Sequence, residues 1–219
     1  MLAFPLGWGG RRKGAGRKRQ AERARVSHKK KPELKKNTAL HVTIRLRAGL
    51  PSMRKKDTYR VLREVFAAAK NRFGFRLIQY SVMTNHIHAI VEVDDQRALT
   101  RGMTGLLTRI ARNLNKHWDR TGPILDDHYH HVELTSPTQV RNALAYVLNN
   151  ARRHNLPIAT LDYYASGPWF DGWAISIEIT GPTANWPSPV SPPNSWLLTQ
   201  GWHRGGPRIR TFEVPGQAA

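Results

Sequence analysis

Two histidines, His86 and His88, stand one residue apart in the apolar run "YSVMTNHIHAIVEV" at positions 80–93. In a β-strand, side chains at i and i+2 point to the same side. The pair therefore shares one face, while Ile87, Ala89, Val91 and Val93 share the other. Two imidazoles on the non-core face of a strand are either hydrogen-bonded in the packing or set to ligate one cation. A second pair, His128 and His130, lies with His131 in "DDHYHH". Its polar neighbours favour a solvated edge or loop, although both pairs together could supply the three histidines of a zinc hydrolase. Tyr146 and Asn150 complete the set. Four residues apart on a helix, they project from one side about one turn apart. A phenol can serve as a nucleophile and an amide oxygen as a ligand for a hard metal. The alternative for Tyr146 is an aromatic packed on the surface of its helix.

Positioning these residues takes a sheet and a helix. Residues 41–47, "HVTIRLR", alternate strictly, which predicts a half-buried strand. Val42, Ile44 and Leu46 point inward; His41, Thr43, Arg45 and Arg47 point outward. Asp57 is placed to cap a helix running to about Phe73, with Leu62, Val65, Phe66, Ala69 and Phe73 on one face and Gly74 at its end. Residues 75–83 and 86–93 read as two strands joined by Thr84-Asn85. A second helix is expected from near Asp95 to about Trp118, with Met103, Leu106, Leu107, Ile110 and Leu114 in its apolar stripe. A fourth strand falls within 124–135. This order of strand, helix, strand, strand, helix, strand is the ferredoxin-like α+β order. It predicts a four-stranded antiparallel sheet with two helices on one face.

The other face needs a cover, and "SPTQVRNALAYVLNNARRH" (136–154) supplies one. Ser136 is the N-cap, Pro137 takes the first helical position and Gln139 closes a capping box. Val140, Leu144, Val147, Leu148 and Ala151 form one apolar stripe. Asn142, Tyr146, Asn149, Asn150 and Arg153 form a second, polar stripe about halfway round.

Composition narrows the partners. The chain has 219 residues, 35 Lys and Arg against 15 Asp and Glu, and no cysteine. Disulfides and thiolate metal sites are excluded. No apolar run approaches the roughly 20 residues of a membrane span. The short apolar start precedes its charges, the reverse of a secretory leader, so a cytoplasmic, nucleoid-associated location is expected. A net charge of +20 favours a polyanion, nucleic acid first. Residues 1–36 carry thirteen basic and two acidic residues, 37–154 nineteen and nine, and 155–219 three and four. Three parts follow. Residues 1–37 form a basic Gly/Arg/Lys-rich arm that cannot bury enough surface to fold alone. Residues 38–155 form the folded domain. Residues 156–219 form a docked aromatic extension and then a Pro-rich flexible tail.

Together these pieces resemble the REP-associated tyrosine transposases, within the single-tyrosine HUH group with its IS200-like transposase domain. "MTNHIHAIVEV" is similar to that family's histidine–hydrophobic–histidine strand. "ALAYVLNNARRH" is similar to its catalytic-tyrosine helix, and "SGPWFDGW" to a recurrent C-terminal piece of one branch. The resemblance covers about residues 38–155. It implies a metal-dependent nickase and strand-transferase acting on single-stranded, hairpin-forming repeat DNA, as a monomer or homodimer. It implies that His86, His88 and Asn150 hold Mg²⁺ or Mn²⁺ and that Tyr146 forms a 5′-phosphotyrosine. A domesticated relative that binds hairpins without cutting is the alternative. The usual Asn-Pro after the tyrosine segment is Asn150-Ala151 here, and His128 stands where an Arg is expected. Arg45, Arg47, Arg152 and Arg153 are candidates for phosphate contacts. Arg11, Arg12, Lys13, Arg17, Lys18 and Arg19 in the arm are candidates for general nucleic-acid affinity.

Overall fold

The computed structural model describes residues 33–126, 128–158, 160–178 and 185–214. Strand β1 (Thr38–Arg45) is followed by α1 (Lys56–Ala69), a two-residue β2 (Asn71–Arg72), β3 (Phe75–Val82) and β4 (His86–Val93). Then come α2 (Gln96–His117), β5 (His130–Leu134), α3 (Pro137–Leu148), α4 (Asn150–Arg153) and, far along the chain, α5 (Trp196–Thr199). The sheet runs β2-β3-β4-β1-β5, and every pairing is antiparallel. Without β2, this is the expected four-strand α+β order. The fifth strand arises where the α1 prediction ran too far. The helix stops at Ala69, and Phe73 and Gly74 turn the chain with φ of 54° and 76°. Phe73 fits the helix spacing but ends 74% exposed, because the chain must reverse there to start β3 at Phe75. Asp57 lies inside the first turn, where its Oδ1 accepts from the Thr58 amide at 2.8 Å; the N-cap position itself belongs to Lys55.

The sheet's alternation makes two cores. Leu40, Val42, Ile44, Ile87, Ala89, Val91 and Val93 pack under α1 and α2. Ala39, Ile78, Ile90 and Leu134 pack under α3. A bulge between Leu77 and Gln79 turns Ile78 from the first face to the second. Helix α2 starts where expected: Asp95 Oδ1 accepts from the Ala98 amide at 2.6 Å. Gly102 in α2 sits against Phe75, and an added Cβ would lie 2.2 Å from Phe75 Cγ and 2.4 Å from its Cβ. Gly→Ala inside a helix ordinarily stabilises by about 1 kcal/mol. Here the clash reaches down to a Cβ that no rotamer can move, so Gly102→Ala lowers the thermal midpoint instead.

The segment after α4 holds irregular backbone, as its prolines indicate, yet its described residues are docked. Trp173, Leu198, Trp202 and Ile209 are buried with α3 in the second core. Glu92, 0% exposed at the end of β4, accepts from Arg76 Nε at 2.7 Å and from the amides of Asn194 and Ser195. It thereby ties the start of α5 to the central sheet. No helix among the described residues is long and apolar enough to cross a membrane.

Candidate active site

The site forms where the second stripe of α3 meets the outward face of β4. Pro137 and Ser136 start α3 as expected. Ser136 Oγ accepts from the Gln139 amide at 3.3 Å, while Gln139 Oε1 reaches back to the Thr135 amide at 2.8 Å. Val140, Leu144, Val147, Leu148 and Ala151 are buried. The polar stripe divides. The single helix expected over 136–154 is two pieces, because Asn149, with φ of −108° and ψ of 16°, breaks it between α3 and α4; Tyr146 on α3 and His154 just after α4 are the residues in ring contact with the histidines of β4. Arg141, Asn149 and Arg152 face residues 207–213, which cross the helix as a strap. Arg141 forms a forked pair with Glu213 and donates to the Pro207 carbonyl at 3.2 Å. Asn149 Nδ2 donates to the Arg210 carbonyl and Arg152 Nε to the Thr211 carbonyl, at 2.9 and 2.7 Å.

Tyr146 Oη lies 3.4 Å from His88 Nε2, with the two rings edge-on and 5.0 Å apart. The His86 and His88 rings are 4.8 Å apart. His154 comes within 5.9 Å of His86, ring to ring. Asn150, the first residue of α4, is 0% exposed, and neither amide atom has a hydrogen-bond partner. An unpartnered amide inside a protein is costly, by about 1–3 kcal/mol per group, and calls for a ligand.

Asn85 fixes the tautomer of His86. His86 Nδ1 lies 2.9 Å from Asn85 Oδ1, an acceptor only, so Nδ1 carries the proton and Nε2 keeps its lone pair. His88 Nδ1 lies 3.2 Å from both His41 Nε2 and Thr43 Oγ1, which leaves His88 Nε2 directed at Tyr146. Burial first, then the neighbouring His41 and His86, hold the His88 pKa down to about 3. Burial likewise brings His41 to about 4, with His130 adding to the effect, and lowers His86, aided by His154 and Arg45. Neutral imidazoles with free Nε2 lone pairs are what metal ligation requires. Two neutral imidazoles and a buried amide oxygen are donor types that suit a divalent cation.

These shifts set a pH dependence. In the unfolded chain His41 and His88 take up protons near pH 6.5; in the fold they do so only near 4 and 3. Between those values the unfolded state binds more protons, so stability is full above pH 6.5 and lost as pH falls toward 3. The thermal midpoint of the metal-free protein falls across that window, and His41→Gln makes the fall shallower.

The other predicted residues divide. Arg45 pairs in register with His86, and Arg153 places its guanidinium carbon 5.7 Å above the Tyr146 ring. Arg47 is exposed just beyond β1, with Nε on the Leu125 carbonyl at 3.1 Å. Arg152 is drawn away: its guanidinium binds the carbonyls of Ile158, Thr160 and Thr211. Arg11, Arg12, Lys13, Arg17, Lys18 and Arg19 lie outside the described residues. His130 pairs opposite Thr43 on β5. Strand β1 stands between it and β4, two strand spacings or about 10 Å in all. Among the described residues, no three His, Asp, Glu or Cys side chains are grouped to hold a metal ion. Four contributors escaped the sequence argument: His41, Thr43, Asn85 and His154. The strand periodicity had already placed the first two on the right face, and His154 continues the i+4 series of Tyr146 and Asn150.

A solved REP-associated tyrosine transposase bound to a REP hairpin is 15% identical over 60% of this chain and 76% of that one, with a TM-score of 0.48. A candidate transposase from Deinococcus radiodurans R1 is 13% identical over 54% of this chain and 92% of that one, with a TM-score of 0.36. No curated protein matches. The family described as "Transposase IS200 like" matches residues 34–150, more than half of the sequence, and the chain belongs to that family.

Proposed function

We propose that the chain is a metal-dependent single-strand DNA endonuclease and strand-transferase, acting on hairpin-forming repeats through a 5′-phosphotyrosine at Tyr146. One observation carries this reading: the phenol of Tyr146 stands 3.4 Å from His88 Nε2, four residues before the buried, unpartnered amide of Asn150. His86, His88 and Asn150 are the residues that would hold Mg²⁺ or Mn²⁺. Bound there, the ion supplies a Lewis acid that polarises the scissile phosphate. Tyr146 Oη attacks phosphorus, the bond to the 3′ oxygen breaks, and that oxygen leaves as a hydroxyl. The phosphotyrosine keeps the bond energy, so a second 3′-OH can be joined by the reverse displacement. Arg153 above the ring and Arg45 beside His86 are cations for the phosphate charge that builds in the transition state. The preference for hairpins rests on the resemblance of the two motifs, and the preference for DNA also on the excess of basic residues.

The test is direct. Labelled hairpin DNA with a single-stranded flank is incubated with the protein and Mn²⁺ or Mg²⁺, then resolved under denaturing conditions. A metal-dependent band in which label and protein migrate together is the expected result. Tight binding with no such band, in either metal, would leave a binding protein and not an enzyme.

A further inference from the structure

The described residues after α4 do more than cover α3. With β3 they enclose a cavity of about 730 Å³, within the size range of small-molecule sites. Ile78, Leu198 and Trp202 of the second core line it, so it lies on the α3 side of the sheet. Leu144 also lines it, two residues before Tyr146 and so roughly 200° round the helix. The cavity is therefore separate from the histidine site, with α3 between them.

One lining residue is a buried polar side chain of the sheet itself. Gln79 of β3 is 5% exposed and pairs opposite Ile90 of β4. The Ser166 hydroxyl accepts from the Tyr80 amide at 2.7 Å and donates to Gln79 Oε1 at 2.6 Å. That contact orients the carboxamide. Gln79 Nε2 has no recorded hydrogen bond among the described residues, and the residue lines the cavity. A donor held this deep without a partner is costly and calls for an acceptor.

The walls are flat and the charge is mostly positive. Trp169, Phe170 and Trp202 line the cavity, and Gly172 lays backbone against two of these rings: an added Cβ would lie 2.4 Å from Phe170 Cζ and 2.5 Å from Trp202 Cζ2. Lys70 and Arg208 are present against one acid, Asp171. Lys70 Nζ donates to the Ser188 carbonyl at 2.8 Å. Arg208 and Asp171 make no ion pair among the described residues. Aromatic walls suit a planar ring, the free carboxamide donor suits an acceptor on the edge of that ring, and the two cations suit an anionic group attached to it. A nucleobase that carries a phosphate has all three.

We propose that this cavity binds a nucleotide, with its base against the aromatic wall and Gln79 Nε2 and its phosphate at Arg208 and Lys70. Asp171 supplies an acceptor for an amino or hydroxyl group of the same ligand. A free nucleotide and an unpaired nucleotide of a DNA strand share this chemistry. The proposal does not depend on cleavage by Tyr146, and its test needs neither metal nor turnover.

The full chain is dialysed to equilibrium against labelled dAMP, dGMP, dCMP or dTMP, in about 0.3 M salt to screen general attraction to a basic protein. At least one nucleotide binds saturably, one per chain, with a Kd below about 1 mM. Inorganic phosphate in excess does not displace it. Gln79→Met weakens binding about tenfold. Arg208→Gln, at an exposed side chain, weakens it about threefold to tenfold and serves alone if Gln79→Met does not fold. Unlabelled hairpin DNA with a single-stranded flank then separates the two sources. Displacement of the mononucleotide assigns the cavity to a nucleotide of the strand; its retention on DNA-bound protein assigns the cavity to a free nucleotide. No saturable binding of any of the nucleotides, full displacement by phosphate, or binding that both substitutions leave unchanged would overturn the proposal.

Discussion

Tyr146→Phe eliminates the covalent protein–DNA band while hairpin affinity stays within about twofold. The reasoning is local. The substitution removes one oxygen, whose only recorded hydrogen bond is the 3.4 Å contact with His88 Nε2. The ring remains, and with it the edge-on contacts to His88 and His41 at 5.0 and 5.6 Å. The thermal midpoint therefore barely moves, since a long, half-exposed hydrogen bond is worth less than about 1 kcal/mol. Loss of a nucleophile, by contrast, commonly costs on the order of 10⁴-fold or more in turnover. A variant that folds and binds normally but forms no adduct assigns the chemistry to this oxygen. Persistence of the adduct would move the nucleophile elsewhere and sink the assignment.

Asn150→Leu separates function from stability in opposite directions. Both amide atoms of Asn150 are buried without partners, so the metal-free fold carries a desolvation penalty at this position. Leucine has nearly the same branched shape and no polar atom. The metal-free variant should therefore be more stable by about 1–3 kcal/mol, seen as a higher thermal midpoint. Adding Mn²⁺ raises the midpoint of the parent protein, because a ligand that binds only the folded state stabilises it. In the variant that metal-induced rise is largely lost, and adduct formation drops at least as far as the roughly 10–100-fold common for residues that only support a ligand. A variant that is less stable without metal, yet responds to Mn²⁺ as the parent does, would show that Asn150 serves packing and not the ion.

Much of this arrangement was legible in residue spacing. Period-two alternation placed His86 and His88 on one side of β4 and Ile87, Ala89, Val91 and Val93 on the other, because successive side chains of a strand point to opposite faces; that α3 and the later chain bury the histidine side as well is decided by distant residues. Asp95, Ser136 and Pro137 announced their helices because an N-cap is a local event. The failures came where distant parts of the chain decide. Phe73 satisfies the helix spacing, but a turn needing positive φ at two successive positions overrides it. Arg152 looks like a free surface cation in the sequence, and only the fold brings three carbonyls to it. The prolines of the last segment leave room only for short helical turns such as α5, but they say nothing against burial of Val190 or Trp202. His41 and Thr43 were on the predicted face, yet their role behind His88 required knowing that β1 pairs with β4.

The strap formed by residues 207–213 has a consequence for mixed populations of the protein. By gripping Arg141, Asn149 and Arg152, it holds the helix of Tyr146 on the sheet of its own chain, beside that chain's own histidines. On the proposed roles, nucleophile and ligands would then come from one polypeptide. Two inactive variants, Tyr146→Phe and His88→Ala, should then fail to rescue each other when combined in one tube, whatever their concentration. An enzyme that exchanged this helix between partners would regain about a quarter to a half of its sites under the same mixing.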